Sequence, residues 1–150
     1  MICTVGTQFK TQDTPSNRHF GYAQSTTNFP SVLAVTLMST RTHLISDAAF
    51  GPITQSEIQI PTPKGEIERG YGELKQYQLS NKPALRSLNQ EGIYQELWGI
   101  LTSYNIVRLE MAEMAKAHKV EPLRISFINV LYLIQDEFLW CSGRKPRDNP

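Results

Sequence analysis

Glu68 and Lys75 stand seven residues apart in the run GEIERGYGELK, residues 65–75. Seven residues make two turns of helix, so a helix here sets carboxylate and ammonium on one face. A carboxylate held on such a face is an oxygen ligand of the kind that hard divalent cations take. Read from these two residues alone, a solvated charged face is the better reading. The nearest spare carboxylates are Asp13 and Asp47. Asp13 precedes Thr14-Pro15 in a turn, where an aspartate commonly bonds its own backbone. His19, His43 and His118 are scattered without metal-ligand spacing, so satisfied or surface histidines are expected. Cys3 and Cys141 lie at opposite ends of the chain with neither metal nor redox spacing, which fits reduced thiols in a cytosolic protein.

These residues need elements to carry them. A helical pattern covers residues 66–79, and a second covers 90–118. In the second, Ile93, Leu97, Ile100, Leu101, Tyr104, Val107, Met111 and Met114 recur at steps of three and four, the stripe of a helix packed on something apolar. Trp98 and Tyr104 on that helix read first as core residues, and second as platforms for base stacking. Upstream, residues 1–9 are apolar and β-branched and predict a short strand. The following stretch, rich in Thr, Ser, Asn, Gly and Pro, must be loop. SVLAVTLMS, residues 31–39, is a continuous apolar run suited to a strand covered on both faces. Residues 42–50 follow a two-residue gap, Thr40-Arg41, as its hairpin partner, closed by Gly51-Pro52. Past a break at 119–122, Pro122 suits the first turn of a new helix over 122–138. Leu123, Ile125, Phe127, Ile128, Leu131, Ile134 and Phe138 give that helix a wide apolar surface. The polar tail, residues 140–150, holds two prolines and is expected to fray.

Several runs resemble the catalytic domain of insertion-sequence transposases of the DDE type, the IS-four type with a Tyr-Arg-Glu-Lys signature. That signature is a Tyr, an Arg three residues on, a Glu four further and a Lys seven past the Glu. Its positions fall here on Pro61, Lys64, Glu68 and Lys75. The Glu and Lys match, Lys64 keeps only the charge, and Pro61 departs. GEIERGYGELK is similar to the family's WEIELGYREIK-like run, and LRS (85–87) and QELWGILTSYN (95–105) match closely. Earlier, VGT (5–7), TQDTPSNR (11–18), HFG (19–21), Phe29-Pro30, THL (42–44) and DAAFG (47–51) follow the family's order without a gap through the loop. Val5 falls where the family has its first catalytic aspartate. After QSE (55–57) the register breaks. IQIPTPK bridges Glu57 to Gly65, where the family has a helix, a strand bearing its second aspartate, and a long insertion. The chain thus resembles an internally deleted copy, in two blocks covering residues 1–58 and 64–139.

The resemblance implies a ribonuclease-H-like α/β fold, a mixed sheet flanked by helices. What remains here should be an incomplete α+β remnant with about three antiparallel strands and three helices. It implies metal-dependent phosphoryl transfer during DNA transposition, with Mg²⁺ as the family's cofactor. Such chemistry uses two divalent ions about 3.5–4 Å apart, held by three acids from two strand ends and a helix. Of these, Glu68 is the catalytic and metal-binding position that remains. Valine cannot ligate a metal, and one carboxylate cannot hold a metal pair, so this copy is expected to be inactive and to bind none. Lys64, Lys75 and Arg86 fall where relatives would meet DNA phosphates, or are merely solvated. The partners implied are the DNA ends of an insertion sequence, and self or a full-length transposase. A non-catalytic module binding DNA or an intact transposase is the alternative.

Bulk properties bound these readings. The 150 residues suffice for one modest domain. With 40% apolar and 19% charged residues the chain is of globular type. The formal net charge of +1 is low for a DNA-binding protein, though it can hide a basic face. No signal peptide is read at the start, and no apolar run approaches the ~20 residues that span a bilayer. A cytoplasmic protein is expected, associated with the nucleoid if it binds DNA.

Overall fold

A computed structural model describes residues 2–23, 28–53 and 84–143. The helical pattern over 66–79 lies outside them. Among the described residues the fold is α+β. Three strands, β1 (Ile2–Lys10), β2 (Ser31–Ser39) and β3 (Ile45–Pro52), form an antiparallel sheet in the order β1-β2-β3. Two helices follow, α1 (Gln90–His118) and α2 (Phe127–Gly143). Short 3-10 turns occupy Asn17–Phe20 and Pro122–Arg124.

The register explains the apolar run in β2. Val32, Ala34 and Met38 share a sheet face with Cys3 and Phe9 of β1 and Ile45 of β3, and all are buried. This face carries α1, whose Ile93, Leu97, Leu101, Tyr104, Val107 and Met111 close a single core with it. On the opposite face Leu33 is buried but Leu37 is exposed, so cover runs out toward one end of β2.

Three boundaries differ from expectation, each for a local reason. The β2–β3 connection is longer than two residues. His43 takes a left-handed conformation at φ 56°, its N–H bonds the Ser39 carbonyl at 2.9 Å, and Leu44 accepts from Ser39 N at 2.8 Å. Thr40-Arg41 lacks the residues a tight hairpin requires, and histidine is among those that tolerate this conformation. The register also shifts between Leu37 and Met38, so β3 starts at Ile45 and extends through Pro52. Pro122 opens a short 3-10 turn, and α2 proper begins only at Phe127. At its other end α2 runs on through Gly143, into the polar tail.

α1 is defined at both ends. Asn89 Oδ1 accepts from Gly92 N at 2.8 Å, satisfying one of the N–H groups a helix start leaves open. A Cβ on Gly92 would meet Asn89 Oδ1 and Ser87 Cβ at 3.1 Å each, so the cap favours glycine there. At the far end Lys119 turns left-handed at φ 55° and Val120 N bonds back to Ala115 O at 3.0 Å.

Candidate functional site

The two sequence blocks meet at a seam of backbone and polar bonds. Leu85 N donates to Lys10 O at the end of β1, at 2.8 Å. Beside it the TQDTPSNR loop is bolted to residues 87–88. Asn17, fully buried, donates from Nδ2 to Ser87 O at 3.0 Å and to Gln12 O at 3.1 Å. Thr14 Oγ1 donates to Leu88 O at 2.8 Å. From the other side the Glu96 carboxylate, on the first turns of α1, accepts from Arg86 N at 3.0 Å, and from Ser87 N and Ser87 Oγ at 3.1 and 3.0 Å.

Arg86 therefore has its backbone fixed while its side chain is exposed at the seam. It sits beside the Lys10 end of β1, whereas Val5, in the same strand, pairs with Thr36. Five residues separate Val5 from Lys10, about 17 Å along an extended strand. Glu68, Lys64 and Lys75 lie outside the described residues. Of the expected site residues the described structure thus locates only Arg86, together with the backbone of Val5, which the resemblance aligns with the first acid.

Asp13 departs from expectation. Among the described residues its carboxylate bonds side chains and not its own backbone. Arg18 Nε and Nη2 donate to its two oxygens at 2.8 and 3.3 Å, and Tyr22 Oη donates at 3.0 Å. Arg18, then Tyr22, hold the Asp13 carboxyl below the usual carboxylate range, and Arg18 is raised in return. Desolvation, then Asp13, push the Tyr22 phenol upward. Among the described residues Asp47 accepts from the next backbone N–H, that of Ala48, at 2.8 Å. Burial pushes the Cys3 thiol up, and its Sγ donates to Met38 O at 3.2 Å. Both cysteines are free thiols, Cys3 buried and Cys141 exposed.

A hard divalent ion needs several carboxylate oxygens converging on it. Position 5 offers an apolar side chain, and among the described residues no three His, Cys, Asp or Glu side chains gather. The described residues do not supply that donor set.

Sequence reasoning missed the buried polar cluster behind the sheet. Arg108 is 1% exposed. Its Nε donates to Tyr104 Oη at 3.0 Å and its Nη2 lies 3.1 Å from His43 Nδ1. Arginine has no acceptor, so that histidine nitrogen must be the accepting one. The guanidinium lies 5.3 Å from the centres of both the Tyr104 and Phe127 rings, which stack on each other. Asn105 was also missed. It accepts from Ile45 N at 2.9 Å and donates to Ile45 O at 2.7 Å, docking α1 on the start of β3. The available signal was Arg108 itself, a charge at the buried phase of an apolar stripe. Trp98, expected in the core, is 47% exposed and meets Phe50 edge-on.

No family model matches the chain, and no solved structure matches it. Over 82 residues the chain is 38% identical to the transposase InsG for insertion sequence element IS4 of Escherichia coli (strain K12). The match covers 54% of this chain but 19% of that protein, so the chain spans about a fifth of the length of the curated relative it matches. The identity supports an insertion-sequence transposase origin. Among the described residues no helix is long and apolar enough to cross a membrane.

Proposed function

We propose that the chain is a segment of an insertion-sequence DDE transposase, of ribonuclease-H-like ancestry, that does not itself carry out phosphoryl transfer. The observation that carries this is Val5 in β1, which the resemblance aligns with the family's first acid, beside the matching runs Gly6-Thr7 and residues 11–18. Divalent-metal chemistry on DNA needs that carboxylate, and Glu68 alone cannot hold a metal pair. The second reading, a module that binds DNA or an intact transposase without catalysis, draws on Arg86, fixed at the seam with its side chain exposed.

The test is incubation of the purified chain with insertion-sequence DNA ends and Mg²⁺ or Mn²⁺. Neither cleavage nor joining is expected, and Val5→Asp alone restores neither. Metal-dependent cleavage that disappears in Glu68→Gln would overturn the reading. DNA binding through Lys64, Lys75 and Arg86 would be non-specific. With about −0.9 in log–log salt slope per phosphate contact, three contacts give a slope near −3. A preference for genuine ends over scrambled DNA that survives high salt would exclude this form of binding.

A further inference from the structure

We infer that His43 and Arg108 form an acid-released latch, which lets the β2–β3 turn detach from α1 as pH falls below about 6.5. The turn, residues 39–45, meets α1 through two side-chain contacts of different kinds. Asn105 grips Ile45 through an amide, which does not titrate. His43 grips Arg108 through an imidazole, with 3.1 Å between Nδ1 and Nη2. His43 is 0% exposed and Arg108 1%, so this contact is made away from water. Histidine is also the side chain whose ordinary charge change falls between pH 5 and 8.

The ring cannot take a second proton in place. A guanidinium only donates, so Nδ1 spends its lone pair on Arg108 and the latched ring is the neutral tautomer with its proton on Nε2. A proton on Nδ1 would remove that bond and set an imidazolium against a guanidinium at hydrogen-bond distance, where burial strengthens the repulsion. Among the described residues the charged and titratable groups bonded into the cluster are Arg108 and Tyr104 of α1, and α2 adds the uncharged Phe127 ring. Arg41, in the turn itself, is exposed. The turn is the part that gives way, because His43 holds an uncommon left-handed conformation, φ 56°, and the bond to Arg108 anchors it there.

In the detached turn the imidazole meets water and takes a proton near its ordinary value of about 6.5, whereas the latched ring stays neutral. The open form therefore binds more protons, and the latched form loses stability as pH falls through that value. Nitrogen-15 NMR and amide hydrogen exchange on the full chain test this. At pH 7.5 the His43 proton should sit on Nε2. Protection of the Ser39 and His43 amides, which close the turn at 2.8 and 2.9 Å, should fall about tenfold from pH 7.5 to 5.5 after correction for the intrinsic exchange rate. His43→Asn should abolish that fall, since its Oδ1 can stand in for Nδ1, asparagine tolerates the left-handed turn, and its amide takes no proton. His19→Gln and His118→Gln, at exposed positions, should respond as the wild type does. Should His43→Asn fail to fold, the two wild-type readouts decide. A His43 proton on Nδ1 at pH 7.5, wild-type protection that does not change with pH, or an equal fall in a folded His43→Asn would each overturn the inference.

Discussion

Both the inner and the outer sides of the two helices carry apolar residues, but with different fates. On the inner side Tyr104, Arg108 and Phe127 interlock with His43 of the β2–β3 turn. On the outer side Trp98 and Leu109 of α1, and Leu139 and Trp140 of α2, stand half-exposed or more. Hydrophobic spacing fixes which residues share a face, but it does not say how many faces the rest of the chain covers. The inner faces are closed by the sheet and by each other, the outer side of α1 only in part, by the contact of Trp98 with Phe50, and what marks the inner face of α1 is its buried charge.

The sharpest way to break that comparison is substitution at Arg108. Arg108→Ala leaves a cavity and strips the Tyr104 hydroxyl and His43 Nδ1 of a shared donor, for a loss of about 3 kcal/mol or more. Trp98→Ala, though it removes a larger side chain, should cost about 1 kcal/mol, because the indole is half-exposed and packs edge-on against Phe50. Urea unfolding followed at α1 would measure both. A larger loss for Trp98 would show that the outer face is covered within the chain. Arg108→Met refines the test, since an apolar chain of similar length needs no partners and should recover most of the loss.

Most of the fold was legible from periodicity. α1 and β2 begin and end where their apolar runs do, because a long stripe and a continuous β-branched run each admit one reading. The β2–β3 turn was not legible, because a left-handed histidine depends on the helix packed beneath it. Nor was the Asn105 bridge to Ile45, whose partners are distant in sequence. The site is legible in another sense. The resemblance only sets an expectation for Val5 and Glu68, the second of which lies outside the described residues, and the described structure adds the seam that fixes Arg86. That seam rests on Asn17, Thr14 and Glu96, residues whose types suit many loops, so their pairing required three dimensions.

A middle-sized effect tests the seam. Glu96→Ala removes the acceptor for Arg86 N, Ser87 N and Ser87 Oγ. Because the site is partly solvated, the loss should be about 1 kcal/mol. Hydrogen exchange should localise it, with faster exchange at Arg86 and Ser87 and little change at Leu101 or Tyr104. Uniformly faster exchange along α1 would mean that Glu96 supports the helix rather than the seam.

The smallest effect belongs to Asp13, where the comparison becomes one between buried and exposed polar groups. Arg18 and Tyr22 bond the Asp13 carboxylate and hold its proton affinity below the usual carboxylate range. A carboxyl depressed by folding stabilises the fold above its unfolded value, near about 3.9, and that contribution fades as pH falls through the folded value. Asp13→Asn should therefore melt slightly below wild type near neutral pH, and the gap should close in acid, below about pH 4. Arg18 is 58% exposed and Asp13 38%, so water screens the pair and added salt should narrow the gap further. Parallel melting curves for Asp13→Asn at neutral and acid pH would show that the carboxylate positions the loop by shape alone.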